Sequence, residues 1–181
     1  DMDDLVKPGV YDMNQQHVEL VVKDILGKWR NRSDDYRYNA MLTTHVGGGK
    51  ASTPMAMMYY REFKKQNQSQ QRPLKVAVTF SQDTTNGDNM LTTNRSLGEV
   101  MQDYSQMFGG HYDDTNVKEY TENVVARLNR TIDDGQYLDL VIVIDQLLTG
   151  FDAPKMNTLY VDRTMQGATL IQAYSRTNRI E

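Results

Sequence analysis

Cysteine is absent from the 181 residues, which excludes disulfides, thiol catalysis and zinc–thiolate sites. That absence suits a reducing compartment. No apolar run approaches the roughly 18 residues needed to span a bilayer. The acidic start, Asp1-Met2-Asp3-Asp4, has neither the basic start nor the apolar run of a signal peptide. No membrane contact is expected, and the cytoplasm is the expected location. Positive charge is in deficit, with 20 Lys and Arg against 24 Asp and Glu and a net charge of −4. General electrostatic adhesion to nucleic acid is excluded, so any contact with DNA must come from a local patch. Internal repeats and low-complexity tracts are lacking too.

What remains is an ordinary globular chain. Its length is about one domain, and 39% hydrophobic residues can form a substantial core. The pattern reads Ile180-Glu181 as the end of a helix cut short, so a fragment of a longer protein is expected.

Periodicity places the elements. Val18, Val21, Val22, Ile25, Leu26 and Trp29 recur at helical spacing over 15–30. Residues 38–44 read as a strand running into Gly47-Gly48-Gly49. Thr53 can cap the next helix, Pro54 suits its first turn, and Met55, Met58, Tyr59 and Phe63 form its stripe. Residues 74–80 read as a second strand. Residues 81–112 are rich in Asp, Asn, Thr and Gly and read as an insertion with one short helix around 97–107. A helix over 114–130 ends near Gly135. Residues 138–144 are almost continuously apolar, as in a strand covered on both faces. A short strand over 158–161 and a final helix from 168 complete the alternation, which predicts an α/β fold with a parallel, right-handed sheet.

Gly47-Gly48-Gly49-Lys50-Ala51-Ser52 imitates a phosphate loop but fails its chemistry. The loop requires Gly, four residues, then Gly-Lys-Ser/Thr, so that a hydroxyl follows the lysine and holds magnesium. Here Ala51 follows Lys50, and Thr44 stands where the first glycine belongs. Asp83, Asn86 and Asp88 miss the alternating ligand spacing of a calcium loop. His17, His45 and His111 form no metal-spaced pair, so surface or core histidines are the default and no metal site is expected.

Two later segments carry more. Asp145-Gln146-Leu147-Leu148-Thr149-Gly150-Phe151-Asp152 begins where the most apolar strand ends, at the edge where open α/β sheets bind ligands. Gly150 permits close backbone approach, and Asp152 can accept hydrogen bonds from a ribose. Further on, Gln172, Arg176 and Arg179 stand at i, i+4 and i+7, one face of a helix if the segment is helical. Guanidiniums there would bind phosphate oxygens bidentately at any working pH. Each segment alone also reads plainly, as a turn and as a solvated basic helix end.

Together they resemble motifs V and VI of the second RecA-like lobe of superfamily 2 helicases and translocases. Asp145, Gly150 and Asp152 match the first motif; Gln172, Arg176 and Arg179 match the second. The wording of Leu-Leu-Thr-Gly-Phe-Asp-Ala-Pro-Lys (147–155), Asn-Thr-Leu-Tyr-Val-Asp (157–162) and Leu-Ile-Gln-Ala-Tyr-Ser-Arg-Thr-Asn-Arg (170–179) resembles the restriction (R) subunit of type I restriction-modification enzymes. Residues 40–65 resemble the region around motif IV. The resemblance covers about 15–80 and 114–180, leaving 81–112 aside. Thr149 replaces the common arginine of motif V, Ser175 the common glycine of motif VI, and Ile144 stands where many relatives carry a DNA-contacting threonine.

The resemblance implies one RecA-like lobe over 1–181: a three-layer parallel sheet flanked by helices, of the P-loop NTPase kind but without its own phosphate loop. Residues 1–14 would be a linker from the preceding lobe. The resemblance implies ATP and Mg2+, bound mainly by a first lobe that is not in this chain. Gly150, Asp152 and Gln172 would touch ATP, while Arg176 and Arg179 would act on its phosphates from across the cleft. Double-stranded DNA would be gripped by its phosphates, with Thr44, His45 and Gln146 as positional candidates. The implied partners are the first lobe and nuclease domain of the same full-length chain, and the methyltransferase and specificity subunits. Two alternatives stand beside this reading: an inactive RecA-like interaction module, which would not need the Gln/Arg/Arg set, and a stand-alone nucleotide-binding enzyme using Lys50.

Overall fold

The computed structural model describes residues 2–46, 50–51, 53–79, 90–144, 155–165 and 168–175. In chain order the elements are α1 (Met2–Arg32), β1 (Asn39–Val46), β2 (Lys50–Ala51), α2 (Thr53–Asn67), β3 (Val76–Thr79), α3 (Met90–Phe108), α4 (Val117–Asn129), β4 (Leu140–Ile144), β5 (Met156–Met165) and β6 (Ala168–Ser175). The sheet runs β3-β4-β1-β5-β6, with β2 pairing on β1. The first four strands in that order are mutually parallel, and β6 is antiparallel to β5. The expected α/β architecture is therefore present, a parallel four-stranded sheet flanked by helices.

The most apolar segment occupies the interior. All five residues of β4 are buried, and the strand lies between β3 and β1; side chains on both faces need cover, which only layers on both sides supply. The crossover β1–α2–β3 and the return β3–α3–α4–β4 run in opposite directions across the sheet. Right-handed connections consequently put α2 and α4 on opposite faces. On one face α1 packs against α2, burying Val18, Val22, Ile25 and Trp29 at helical spacing with Met55, Tyr59 and Phe63 of α2. On the other, the Asn39 side chain donates to the Leu128 carbonyl of α4 at 2.7 Å. α3 joins the two layers: Tyr60 and Lys64 of α2 both reach Asp103, and Tyr104 donates to Asn123 of α4.

Three segments differ from the sequence expectation. α1 begins at Met2, well before residue 15. α3 is 19 residues long where one short helix was expected within 81–112; Leu97, Val100, Met101 and Tyr104 are all buried. Their spacing is helical, but polar residues on the outer face of the segment dilute it. The final helix is corrected to a strand. Thr169, Ile171 and Tyr174 favour extended backbone, and β5 offers an unpaired edge on which residues 168–175 zip antiparallel, Met165 opposite Ala168 and Thr158 opposite Ser175.

Between α1 and β1, Asp34, Asp35 and Tyr36 all have positive φ, at 51°, 58° and 67°. One turn of left-handed backbone from L-residues is unfavourable, and local contacts hold it. The Tyr36 amide donates to the Ser33 hydroxyl, Arg130 donates to the Tyr36 carbonyl at 2.8 Å, and the Arg72 guanidinium stacks 3.7 Å from the Tyr36 ring centroid.

Candidate functional site

Three parallel strands bring their carboxyl ends into line. Thr44 of β1 pairs with Ile144 of β4 on one side and with Asp162 of β5 on the other. Asp145, the first residue of the motif V match, follows Ile144 directly in the sequence, and Ile144 ends β4 at the carboxyl edge, where open α/β sheets bind ligands. Asp145 to Asp152, with Gln146 and Gly150, lies outside the described residues, as do Arg176 and Arg179.

Gln172 is placed on β6, opposite Val161. The helical face that was to join it with Arg176 and Arg179 is therefore corrected: a strand turns successive residues to opposite faces with a period of two. Ser175 pairs with Thr158, which lies level with Ala40 and Leu140. Ser175, the last described residue of β6, thus lies level with the amino end of β4, about 13 Å from Ile144 at roughly 3.3 Å per residue. The expectation that the arginine pair stands beside Asp145 falls on residues outside those described.

Thr44 is fully buried at the carboxyl end of β1, which takes its side chain off the surface available to a duplex. His45 follows it on β1, in register with Ala51 of β2 and Arg163 of β5. Lys50 belongs to β2, paired antiparallel with Val46. The glycine run thus separates two paired strands, whereas a phosphate loop joins a strand straight to its helix. Among the described residues no group of three His, Cys, Asp or Glu could hold a metal ion, and no helix is long and apolar enough to cross a membrane.

A polar cluster that sequence reading missed sits at the same edge. Asp162 is completely buried and accepts a hydrogen bond from the Tyr59 hydroxyl of α2. The His17 Nε2 of α1 lies 3.6 Å from Asp162 Oδ2. Asp162 Oδ1 and His17 Nε2 have no hydrogen-bond partner. Burial pushes the Asp162 carboxyl above the ordinary carboxylate range; the bond from Tyr59 and the nearby His17 oppose that shift without cancelling it. Burial, reinforced by the charge of Asp162, pushes the Tyr59 hydroxyl far up, so it acts only as a donor. A cleft of about 420 Å3 opens beside His17, lined by Leu20, Asp24, Arg32 and Tyr160 among others. The available signal was a charged residue directly after the apolar run Leu159-Tyr160-Val161. Nothing in the sequence pairs it with His17, 145 positions earlier.

The model of the family described as type I restriction enzyme subunit R domain 3 matches residues 36–181, through α3 as well as the two motifs. The chain is 34% identical over 174 residues to a type I restriction enzyme endonuclease subunit of Staphylococcus saprophyticus, covering 93% of this chain and 18% of that one. A Staphylococcus aureus endonuclease subunit is 31% identical over 170 residues, again 92% of this chain and 18% of the relative. One from Haemophilus influenzae is 52% identical over 62 residues, 34% of this chain and 6% of the relative. The chain thus spans about a fifth of the length of the first two relatives. With four-fifths of its residues inside the family model and its parallel α/β sheet in place, the chain belongs to the family of the third domain of type I restriction enzyme R subunits.

Proposed function

We propose that this chain is the second motor lobe of an ATP-dependent double-stranded DNA translocase within a type I restriction endonuclease. The observation that carries the reading is the motif V match directly following β4 in the sequence of a chain of this family, with the motif VI match following in order. ATP and Mg2+ would be held mainly by a first RecA-like lobe elsewhere in the full-length chain. Gly150 would let backbone approach the nucleotide, and Asp152 and Gln172 would accept or donate hydrogen bonds to it. Arg176 and Arg179 would stabilise charge on the transferring phosphoryl group, a task that needs mainly positioning and fixed positive charge. His45 and Gln146, at the carboxyl edge, are the proposed contacts to DNA phosphates, which suit a motor that must pass any sequence. The nuclease domain of the same chain and the methyltransferase and specificity subunits are the proposed partners. The alternative of a nucleotide enzyme built on Lys50 is disfavoured by the β1–β2 pairing.

ATP turnover by the full-length subunit, assembled with its partners at saturating duplex DNA, tests this. Arg179→Ala is expected to lower turnover on the order of a thousandfold, about 4 kcal/mol of transition-state stabilisation. DNA binding without ATP should persist. Because Arg176 and Arg179 both belong to the motif VI match, Arg176→Ala is the necessary companion. Turnover within a few-fold of the parent in both variants rejects the arginine role.

A further inference from the structure

Other polar contacts of α1 with the remaining helices and strands join at most one charged group to a neutral partner. Gln15 donates to Glu62 at 3.1 Å, Gln66 donates to the Glu19 carbonyl, and Arg32 donates to the Tyr160 hydroxyl at 3.1 Å. The contact with Asp162 is different. A carboxylate with no exposed surface and one unpartnered oxygen is costly to keep charged. Among the described residues the cation within reach is His17, whose side chain keeps 22% exposure and lines the open cleft. The ring therefore meets solvent on its cleft side, while its Nε2 and Asp162 are sealed beneath it. α1 precedes residue 36, where the family match begins, and the cluster fastens it to the sheet.

We propose that His17, Asp162 and Tyr59 form a latch that fastens α1 to the carboxyl edge of β5, and that protonation at the His17–Asp162 pair sets how tightly α1 is held. With a proton on the pair, the buried charge is balanced and 3.6 Å can shorten to a charge-assisted hydrogen bond. With the proton gone, the carboxylate keeps the Tyr59 hydroxyl but faces a neutral ring, and the balance favours opening α1 to let water reach Asp162. The titratable side chains around His17 among the described residues are Asp162 and Tyr160 of β5, Tyr59 and Glu62 of α2, and Glu19, Asp24 and Arg32 on α1 itself. Histidine is the residue type that ordinarily changes charge between pH 5 and 8. Burial shifts Asp162 upward, which adds in the same direction: lower pH tightens the latch. The inference stands apart from the motor reading, since it concerns how α1 docks and not what the lobe acts on.

Hydrogen–deuterium exchange of the whole protein, corrected for the intrinsic pH dependence of amide exchange, tests the latch. Between pH 6 and pH 8, opening of residues 15–32 should increase several-fold, while β4 and α4 hold constant. Asp162→Asn keeps an acceptor for Tyr59 without a charge, and should give α1 protection at pH 8 equal to that at pH 6. His17→Gln keeps a donor that cannot charge, and should show at pH 6 the exchange the parent shows at pH 8. Tyr59→Phe leaves His17 as the sole partner of Asp162 and should enlarge the pH step. An unchanged step in Asp162→Asn, a parent with no step in α1, or α1 and β4 changing together each overturns the proposal.

Discussion

Arg127 of α4 and Asp134 of the following loop form an ion pair at 2.9 Å whose cationic side is almost wholly buried, at 6% exposure. The same guanidinium donates to the Gln136 carbonyl and to Asn123, and lies 4.4 Å from the Phe108 ring centroid. One side chain thus ties α3, α4 and the approach to β4. Arg127→Ala should cost about 2–3 kcal/mol, because it strips partners from buried groups as well as removing an apolar stem. Arg127→Met, which keeps the stem over Phe108, should lose less. Urea midpoints of the two variants check the order; equal losses would mean that the hydrogen bonds contribute nothing beyond packing.

The acid side of the pair sets a pH dependence. The Gln136 amide, then Arg127, hold the Asp134 carboxyl below the usual range against its desolvation, and bonds from Thr115 do the same for Asp113. A depressed folded-state pKa contributes stability that is present above the unfolded value and lost as pH falls through the folded value. Stability should therefore decline below about pH 4. Asp134→Asn should flatten part of that decline, as thermal melts from pH 5 to pH 3 would reveal. A decline identical in parent and Asp134→Asn excludes this group.

Tyr120 anchors α4 to the sheet, its hydroxyl donating to the Val78 carbonyl of β3 at 2.5 Å while its ring meets Tyr104 edge-on at 5.1 Å. Tyr120→Phe retains the ring contact and leaves a buried carbonyl unpaired. The expected loss is about 1–2 kcal/mol. Ile142→Ala in β4, fully buried, should cost about 2–5 kcal/mol through lost burial and the cavity left behind. Denaturant unfolding should rank the two in that order.

These contacts also show which parts of the fold were legible from sequence. β4 was, because five consecutive apolar residues bounded by Asp139 and Asp145 admit few readings, and α2 was, because Thr53-Pro54 marks its start. α3 was underestimated, since its buried positions are interleaved with Arg95, Glu99 and Asp103. The end of the chain misled for a physical reason. Gln172, Arg176 and Arg179 have helical spacing, but Thr169 and Ile171 have the shape of a strand, and the open edge of β5 decides in favour of pairing. The Asp162 cluster joins residues 17, 59 and 162, and no local pattern encodes so long a closure.

The left-handed turn gives a prediction that depends on side-chain shape. Asp35 has φ of 58°, and its ion pair with Arg30 is exposed on both sides, where such pairs contribute little. Asp35→Gly removes the steric conflict at that position but loosens the unfolded chain, so stability should change by less than about 1 kcal/mol. Asp35→Val puts a β-branched side chain into left-handed backbone and should cost more than about 1 kcal/mol. Comparable thermal shifts for the two would show that the turn relaxes freely and is not held by Ser33, Arg72 and Arg130.

Lys50 separates the two nucleotide readings. Its backbone belongs to β2, in register with Val46 of β1, and α2 does not begin until Thr53. A phosphate loop would have its glycines cradle the anion and its lysine reach the terminal phosphates from the first turn of the helix; a lysine on a paired strand three residues before that turn has neither arrangement. Lys50→Ala in the full-length subunit should therefore leave ATP turnover within about twofold of the parent, well under 1 kcal/mol of barrier. Any change should appear in stability, through the short β1–β2 ladder, and not in the dependence of rate on ATP concentration. The comparison is best made at saturating DNA and over a range of ATP, so that an altered Michaelis constant is seen as well as an altered maximal rate. A loss of a hundredfold or more in Lys50→Ala, with the fold intact by circular dichroism, would transfer the phosphate-binding role to the glycine turn and displace the two-lobe reading.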